Sequence, residues 1–145
     1  IEKFIRACDR KDKLPAIRLN GTSDIQWEKI DIDGQNIFEM FPNVQFYDYT
    51  KIPTRKVDKI PNYHLTWSYS EANDKYANMF DQVPNNKAVV FRTKDLPSMF
   101  RGLKVIDGDT HDMRFLDKPN SVVGLKAKGQ AKKDYSGFVI DVVQI

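Results

Sequence analysis

Apolar residues recur along this chain in short runs set between polar stretches: Pro15 to Leu19, Val44 to Tyr49, Tyr63 to Tyr69, Lys87 to Phe91, Leu103 to Ile106, Ser121 to Leu125 and Gly137 to Val143. Runs this short, rich in β-branched and aromatic residues and bounded by turn formers, predict strands. A different spacing marks the helices. Ile1, Phe4, Ile5 and Cys8 share one face at helical period, so the chain opens in or just before a helix. The stretch Glu71 to Gln82 offers Ser70 as N-cap and Ala72, Tyr76, Met79 and Phe80 as its apolar face. Gly34 to Phe41 turns Ile37, Phe38 and Phe41 inward and ends at Pro42. A shorter helix is expected after Asp95, with Pro97 in its first turn and Met99 and Phe100 inward.

Strand followed by helix, several times over, predicts an α/β fold of three layers, with a mixed but largely parallel sheet and flanking helices. A partial (β/α) barrel is the alternative, since a closed eight-stranded one needs about 250 residues. At 145 residues and 41% hydrophobic content the chain suits a single domain, residues 1–145. Because it starts with Ile1 on the face of a helix, it reads as the C-terminal fragment of something longer. Lys51 to Pro61, with Pro53 and Pro61 and charges between them, is expected to form an extended surface loop.

Charge and cysteine content narrow the chemistry. The net charge of +3 permits anionic partners but falls short of a dedicated polyanion binder. Cys8 is the only cysteine, so the chain by itself forms no disulfide and no cysteine zinc site, and a reducing cytoplasm is the expected compartment. No apolar run approaches the roughly 20 residues that span a bilayer, so no membrane role is expected. Asn20-Gly21-Thr22 has the form of a glycosylation sequon but reads as a turn.

In parallel sheets ligands bind beyond the carboxyl ends of the strands. The residues that follow the runs are polar: Asn20 to Asp24, Asp48 to Lys51, Ser68 to Asn73, Arg92 to Lys94, Asp107 to Asp112 and Lys126 to Gly129. If the strands are parallel, these six sets converge on one rim. Each also has an ordinary structural reading. Asn20 to Asp24 makes a capped turn, Ser70 a helix cap, His64 a satisfied structural histidine, and Phe46, Tyr47 and Tyr49 pack well in any sheet. Asp48, between two tyrosines, is either paired or functional, because burying a bare carboxylate is costly. Lys126, Lys128, Lys132 and Lys133 form the one basic cluster, suited to phosphate or simply to water.

Asp107-Gly108-Asp109-Thr110-His111-Asp112 is the densest stretch of chemistry. Carboxylates and an imidazole this close together suit a divalent cation or acid–base work, and Gly108 permits a tight turn; Asp-Gly is equally an ordinary turn dipeptide. The first functional reading is a metal-assisted enzyme acting on a nucleotide or nucleic acid. Asp107, Asp109, His111 and Asp112 would bind Mg²⁺ or Mn²⁺, with Asp48, Asp109 and His111 as catalytic groups. Asn20, Asp24, Lys51, Lys126 and Lys128 would hold substrate. The alternative is a non-catalytic nucleic-acid-binding module, in which tyrosines and Trp67 stack on bases and lysines follow the backbone. Acidic groups on a polyanion's rim favour the enzyme, since each repels phosphate unless a cation intervenes.

Five blocks carry a resemblance: Ala16 to Ile25, Phe46 to Lys51, Asn62 to Ser68, Val105 to Phe115 and Val123 to Gly129. Together they resemble a group of phage, plasmid and environmental proteins similar to the phage gene product 88 family. The resemblance implies a viral or mobile-element origin and a role in nucleic-acid replication or modification. Members carry a cysteine-containing portion ahead of the Arg18 to Asp24 block, and its absence here agrees with the fragment reading and counts against a cysteine-bound metal or cluster.

Overall fold

The computed structural model describes residues 1–142. Its eight strands are β1 (Ala16–Arg18), β2 (Gln45–Thr50), β3 (Tyr63–Ser68), β4 (Lys87–Arg92), β5 (Met99–Phe100), β6 (Leu103–Asp107), β7 (Ser121–Lys126) and β8 (Val139–Asp141). They form one mixed sheet in the order β1-β2-β3-β4-β7-β6-β5, with β8 also on β4. The pairs β1–β2, β3–β4, β4–β7, β6–β7 and β4–β8 are parallel, and β5–β6 is antiparallel. The α/β class and the largely parallel sheet expected from the sequence are present. The predicted strand over 137–143 is realised as β8; its last position, Val143, lies outside the described residues.

Strand β4 organises the second half of the sheet. β3 pairs with its first two residues, Trp67 against Lys87 and Ser68 against Ala88. β8 then takes over, with Val90, Phe91 and Arg92 against Val139, Ile140 and Asp141. β7 runs along the other edge of β4 from Lys87 to Phe91. A strand flanked for its whole length must be apolar on both faces, and Ala88, Val89 and Phe91 are buried.

The helices are shorter than their apolar spacing predicts. α1 (Glu2–Arg10) has no buried residue, although Ile5 packs against a core cluster. α2 (Ile37–Met40) is capped by Asn36, whose side chain accepts from the Glu39 N–H, so the helix starts three residues later than expected. α3 (Asp74–Ala77) is capped by Asn73 rather than Ser70. The helix therefore starts three residues later than expected, with Asn73 Oδ1 accepting from the Lys75 N–H, while the Glu71 N–H donates to the Gly137 carbonyl at 2.8 Å. The helix expected after Asp95 is absent. Met99 and Phe100 form β5 instead, turning through Arg101 (φ 47°) and Gly102 (φ 82°) into β6. Two consecutive positive φ values are the signature of a tight hairpin, and Gly102 adopts its value without strain.

The chain gathers into two compact units: Ile1–Tyr49 with Arg55–Leu65, and Thr50–Thr54 with the chain from Thr66 onward. In the first, Phe38, Val44, Phe46, Val57, Tyr63 and Leu65 form the core, with Phe38 stacked on Tyr63 at 4.2 Å. In the second, Trp67, Tyr69, Phe80, Val89, Phe91, Val122 and Ile140 do so.

Candidate functional site

In the first unit, β2 alternates half-buried Gln45, Tyr47 and Tyr49 with buried Phe46, Asp48 and Thr50, so the period of two places Asp48 on the core face. The parallel register that pairs Arg18 with Tyr47 sets Leu19 at the level of Asp48, and the next residue, Asn20, turns its N–H onto the Asp48 side chain. The Asn20 N–H donates to Asp48 Oδ1 at 2.6 Å, and the Tyr63 hydroxyl donates to Oδ2 at 2.6 Å. Arg55 completes the network. Its Nη2 donates to the Tyr63 oxygen at 3.0 Å and to Glu28 Oε2 at 2.6 Å, its Nε to Glu28 Oε1 at 2.8 Å, and its Nη1 to Asp24 Oδ1 at 2.9 Å. Asn20 closes the loop it begins: its Oδ1 accepts from Trp27 Nε1 and Ser23 Oγ, and its Nδ2 donates to the Ile25 carbonyl.

Asn20, Asp24 and Asp48 therefore meet, as their place at strand ends implied, but around a guanidinium. Burial pushes the Asp48 carboxyl above the ordinary range, partly offset by its bonds to Tyr63 and Asn20. Burial likewise pushes the Tyr63 phenol up, reinforced by Asp48. For Arg55 burial works against the charge, and the Glu28 carboxylate outweighs it, so the guanidinium stays ionised. Asp48 has no exposed surface and both its oxygens are occupied, so of the two fates open to it in sequence it is paired. Sequence reasoning missed Arg55, Glu28 and Tyr63. Arg55 and Val57 lie in the stretch taken for a surface loop, yet both are buried.

The Asp107 to Asp112 segment belongs to the second unit. Gly108 is not there to turn: its N–H extends the β6–β7 ladder to the Gly124 carbonyl at 2.8 Å, and a Cβ would sit 2.5 Å from Val123 Cγ1. Its role is close approach. The register pairing Asp107 with Gly124 brings Asp109 level with Lys126. Asp109 Oδ2 accepts from the Lys126 N–H at 3.0 Å, and Oδ1 from Lys128 Nζ at 3.1 Å. Partial burial works against the Asp109 charge, but these donors win and hold its carboxyl below the ordinary range. His111 Nδ1 accepts from the Met113 N–H at 3.1 Å, which leaves Nε2 to carry the proton in the neutral ring. Arg114, fully buried, donates to the His111 carbonyl at 2.6 Å and pairs with Asp117 at 3.3 Å. Asp109, Lys126 and Lys128, singled out separately as metal ligand and phosphate holders, thus hold one another. Among the described residues no group of three or more His, Cys, Asp or Glu is arranged to hold a metal ion.

A third feature of the second unit is a pocket of about 450 Å³ beyond the carboxyl end of β3. Trp67, Tyr76 and Phe138 give it aromatic walls, and Lys51, Ser68, Ser70, Asn73, Asp134 and Ser136 give it polar groups. Several of these are fixed. Trp67 Nε1 donates to the Lys51 carbonyl at 3.4 Å, and Lys51 Nζ lies 5.7 Å from the Phe138 ring centre. Asp134 Oδ1 accepts from both the N–H and the hydroxyl of Ser136, at 2.9 and 2.6 Å, and these bonds hold its carboxyl below the ordinary range. Gly137 (φ 104°) seats this loop on the 71–72 backbone, where a Cβ would lie 2.6 Å from the Ala72 nitrogen. Arg92 clasps the loop from behind, donating to the carbonyls of Lys132 and Asp134 and to the Asp141 carboxylate.

The sequence model described as Gene product 88 matches residues 1–142, nearly the whole chain. The chain belongs to the gene product 88 family. No curated protein and no solved structure matches it significantly.

In this gene product 88 chain the blocks that carried the resemblance fall on the features just described. Residues 16–25 and 46–51 hold Asn20, Asp24, Asp48 and Lys51, and residues 105–115 and 123–129 hold the Asp109, Lys126 and Lys128 clasp. The pocket adds Asp134 and Ser136, which no sequence signal had marked, and Phe138, which the sequence placed in a strand but not in a site. Among the described residues no helix is long and apolar enough to cross a membrane.

Proposed function

We propose that the protein binds a nucleotide, or a ligand with the same combination of planar ring and phosphate, in the pocket beyond β3. The observation that carries this is the composition of the walls: Trp67, Tyr76 and Phe138 beside Lys51 and the hydroxyls of Ser68 and Ser70. Aromatic rings accept a base by stacking, and an ammonium with hydroxyl donors suits a phosphate. Asp134, held ionised by Ser136, offers an acceptor for a base amino group. A volume of about 450 Å³ falls among small-ligand clefts, and its position at strand carboxyl ends is where such clefts form in parallel sheets.

The reading is one of binding. Calorimetric titration with adenosine and uridine monophosphates tests the binding itself. Saturable heat that weakens about tenfold in Lys51→Ala, as loss of a charge-assisted contact implies, supports it. Absence of binding at millimolar ligand, or equal affinity in the variant, overturns it.

A further inference from the structure

We infer that the ligand class of this pocket is single-stranded nucleic acid rather than a free nucleotide, with the strand running out along residues 132–136. The inference rests on the nucleotide reading above and adds a surface to it. Five consecutive residues carry the argument. Lys132 and Lys133 are exposed, Asp134 and Ser136 line the pocket, and Tyr135 between them is 79% exposed. Exposure by itself is ordinary for a single surface side chain; what singles out Tyr135 is what holds the ring.

Tyr135 is open but not loose. The Arg92 guanidinium lies 4.3 Å from its ring centre, and the same guanidinium is anchored by the Lys132 and Asp134 carbonyls and by Asp141 at 2.7 Å. One face of the ring is thus backed by a fixed cation, and the rest of the ring is solvent-facing. This is the arrangement of a stacking platform: a preset ring loses little freedom when a base lands on it. Tyr135 lies in sequence between Asp134 and Ser136, which line the pocket, so a strand with one base in the pocket passes this ring as it leaves. Lys132 and Lys133 then meet the backbone phosphates that leave the pocket. A duplex offers no unstacked base to either place.

Fluorescence anisotropy with a labelled oligothymidylate of about twelve nucleotides, the site-size range of single-strand binders, tests this beside the monophosphates. The expected result is binding at least tenfold tighter than the mononucleotide and than a duplex of equal length. Tyr135→Ala should weaken the oligonucleotide about tenfold and leave the monophosphate unchanged, while Lys132→Ala with Lys133→Ala should reduce the slope of log affinity against log salt by about 1.4, at roughly 0.7 per phosphate on a single strand. All three positions are exposed, so circular dichroism serves as a check that the variants fold. Monophosphate binding with no gain for the oligonucleotide overturns this inference and spares the nucleotide reading. Oligonucleotide binding indifferent to Tyr135 and the lysines also overturns it. Oligonucleotide binding that depends on Tyr135 and the lysines but is unchanged in Lys51→Ala, without measurable monophosphate binding, overturns both the nucleotide reading and the placing of the strand in this pocket.

Discussion

Tyr63 donates its hydroxyl to Asp48 at 2.6 Å inside the first unit, and the same oxygen accepts from Arg55 at 3.0 Å, so one phenol links a buried carboxylate to a buried guanidinium. Neither charge faces bulk water, and the pair is separated by a group that serves both. Tyr63→Phe removes the link at little change of volume. It leaves Asp48 Oδ2 without its donor, a loss expected to cost about 1–3 kcal/mol. Urea denaturation should show that shift in midpoint with an unchanged slope; an unchanged midpoint would mean that the loop from Asn20 to Glu28 is held by other contacts.

Two carboxylates should give opposite pH dependences. The Asp109 carboxyl is depressed in the folded state, so its contribution is present above the unfolded value of about 3.9 and disappears as pH falls through the folded one. The Asp48 carboxyl is raised, so its contribution is full below about 3.9 and is lost as pH rises through its folded value. Stability measured against pH should therefore fall less steeply in acid for Asp109→Asn than for the native chain. Parallel curves would detach Asp109 from Lys126 and Lys128.

The Asp109 to Lys128 pair also sets the terms for metal binding. If a cation can enter the loop, it must displace Lys128 Nζ from Oδ1. Lys128→Ala is then expected to raise affinity for Mn²⁺ and Asp109→Asn to abolish it, both read by calorimetry. Identical heats in the two variants would remove this loop from metal chemistry.

Much of the fold was legible because its signals are local. The apolar and aromatic runs Val44 to Tyr49 and Lys87 to Phe91 mark β2 and β4 as strands, whereas the inward face of β2, with polar Asp48 and Thr50 buried and Tyr47 and Tyr49 half-buried, was not legible from hydrophobicity. Where the reading failed, a tertiary fact decided. Pro97 invited a helix start, but the Arg101-Gly102 turn closes a hairpin that ties Met99 to Lys104. Ser70 does accept from the Ala72 N–H at 3.1 Å, but the helix starts at Asn73, whose side chain accepts from the Lys75 N–H. Arg55 sits in a proline-bounded, charged stretch that reads as solvent-exposed, and its bonds to Glu28, Asp24 and Tyr63, the first two 27 and 31 residues away, account for its burial. The acidic segment misled differently. Asp107 to Asp112 is dense in ligands along the chain, whereas the β6–β7 register sets Asp109 beside Lys126, a neighbour that spacing within one segment cannot reveal.

Close backbone approach makes two glycines sensitive. Gly108→Ala drives a methyl to 2.5 Å from Val123 and 2.8 Å from Leu125, overpacking expected to cost about 1–3 kcal/mol. Gly137→Ala meets backbone at 2.6 Å in a positive-φ conformation and should lift the loop bearing Asp134 and Ser136 off the 71–72 segment. Thermal melting separates them from neutral substitutions, and for Gly137→Ala nucleotide affinity should fall as well. Native-like melting in either variant would contradict the packing described.

The most direct test is an amide NMR titration of the isotope-labelled protein with a nucleoside monophosphate. Saturable shifts concentrated at Ser68, Ser70, Asn73, Ser136 and Phe138, with Asn20, Asp48 and Asp109 unmoved, are the expected result. Shifts centred on Asp107 to Asp112, or none at all, would contradict a nucleotide site beyond β3.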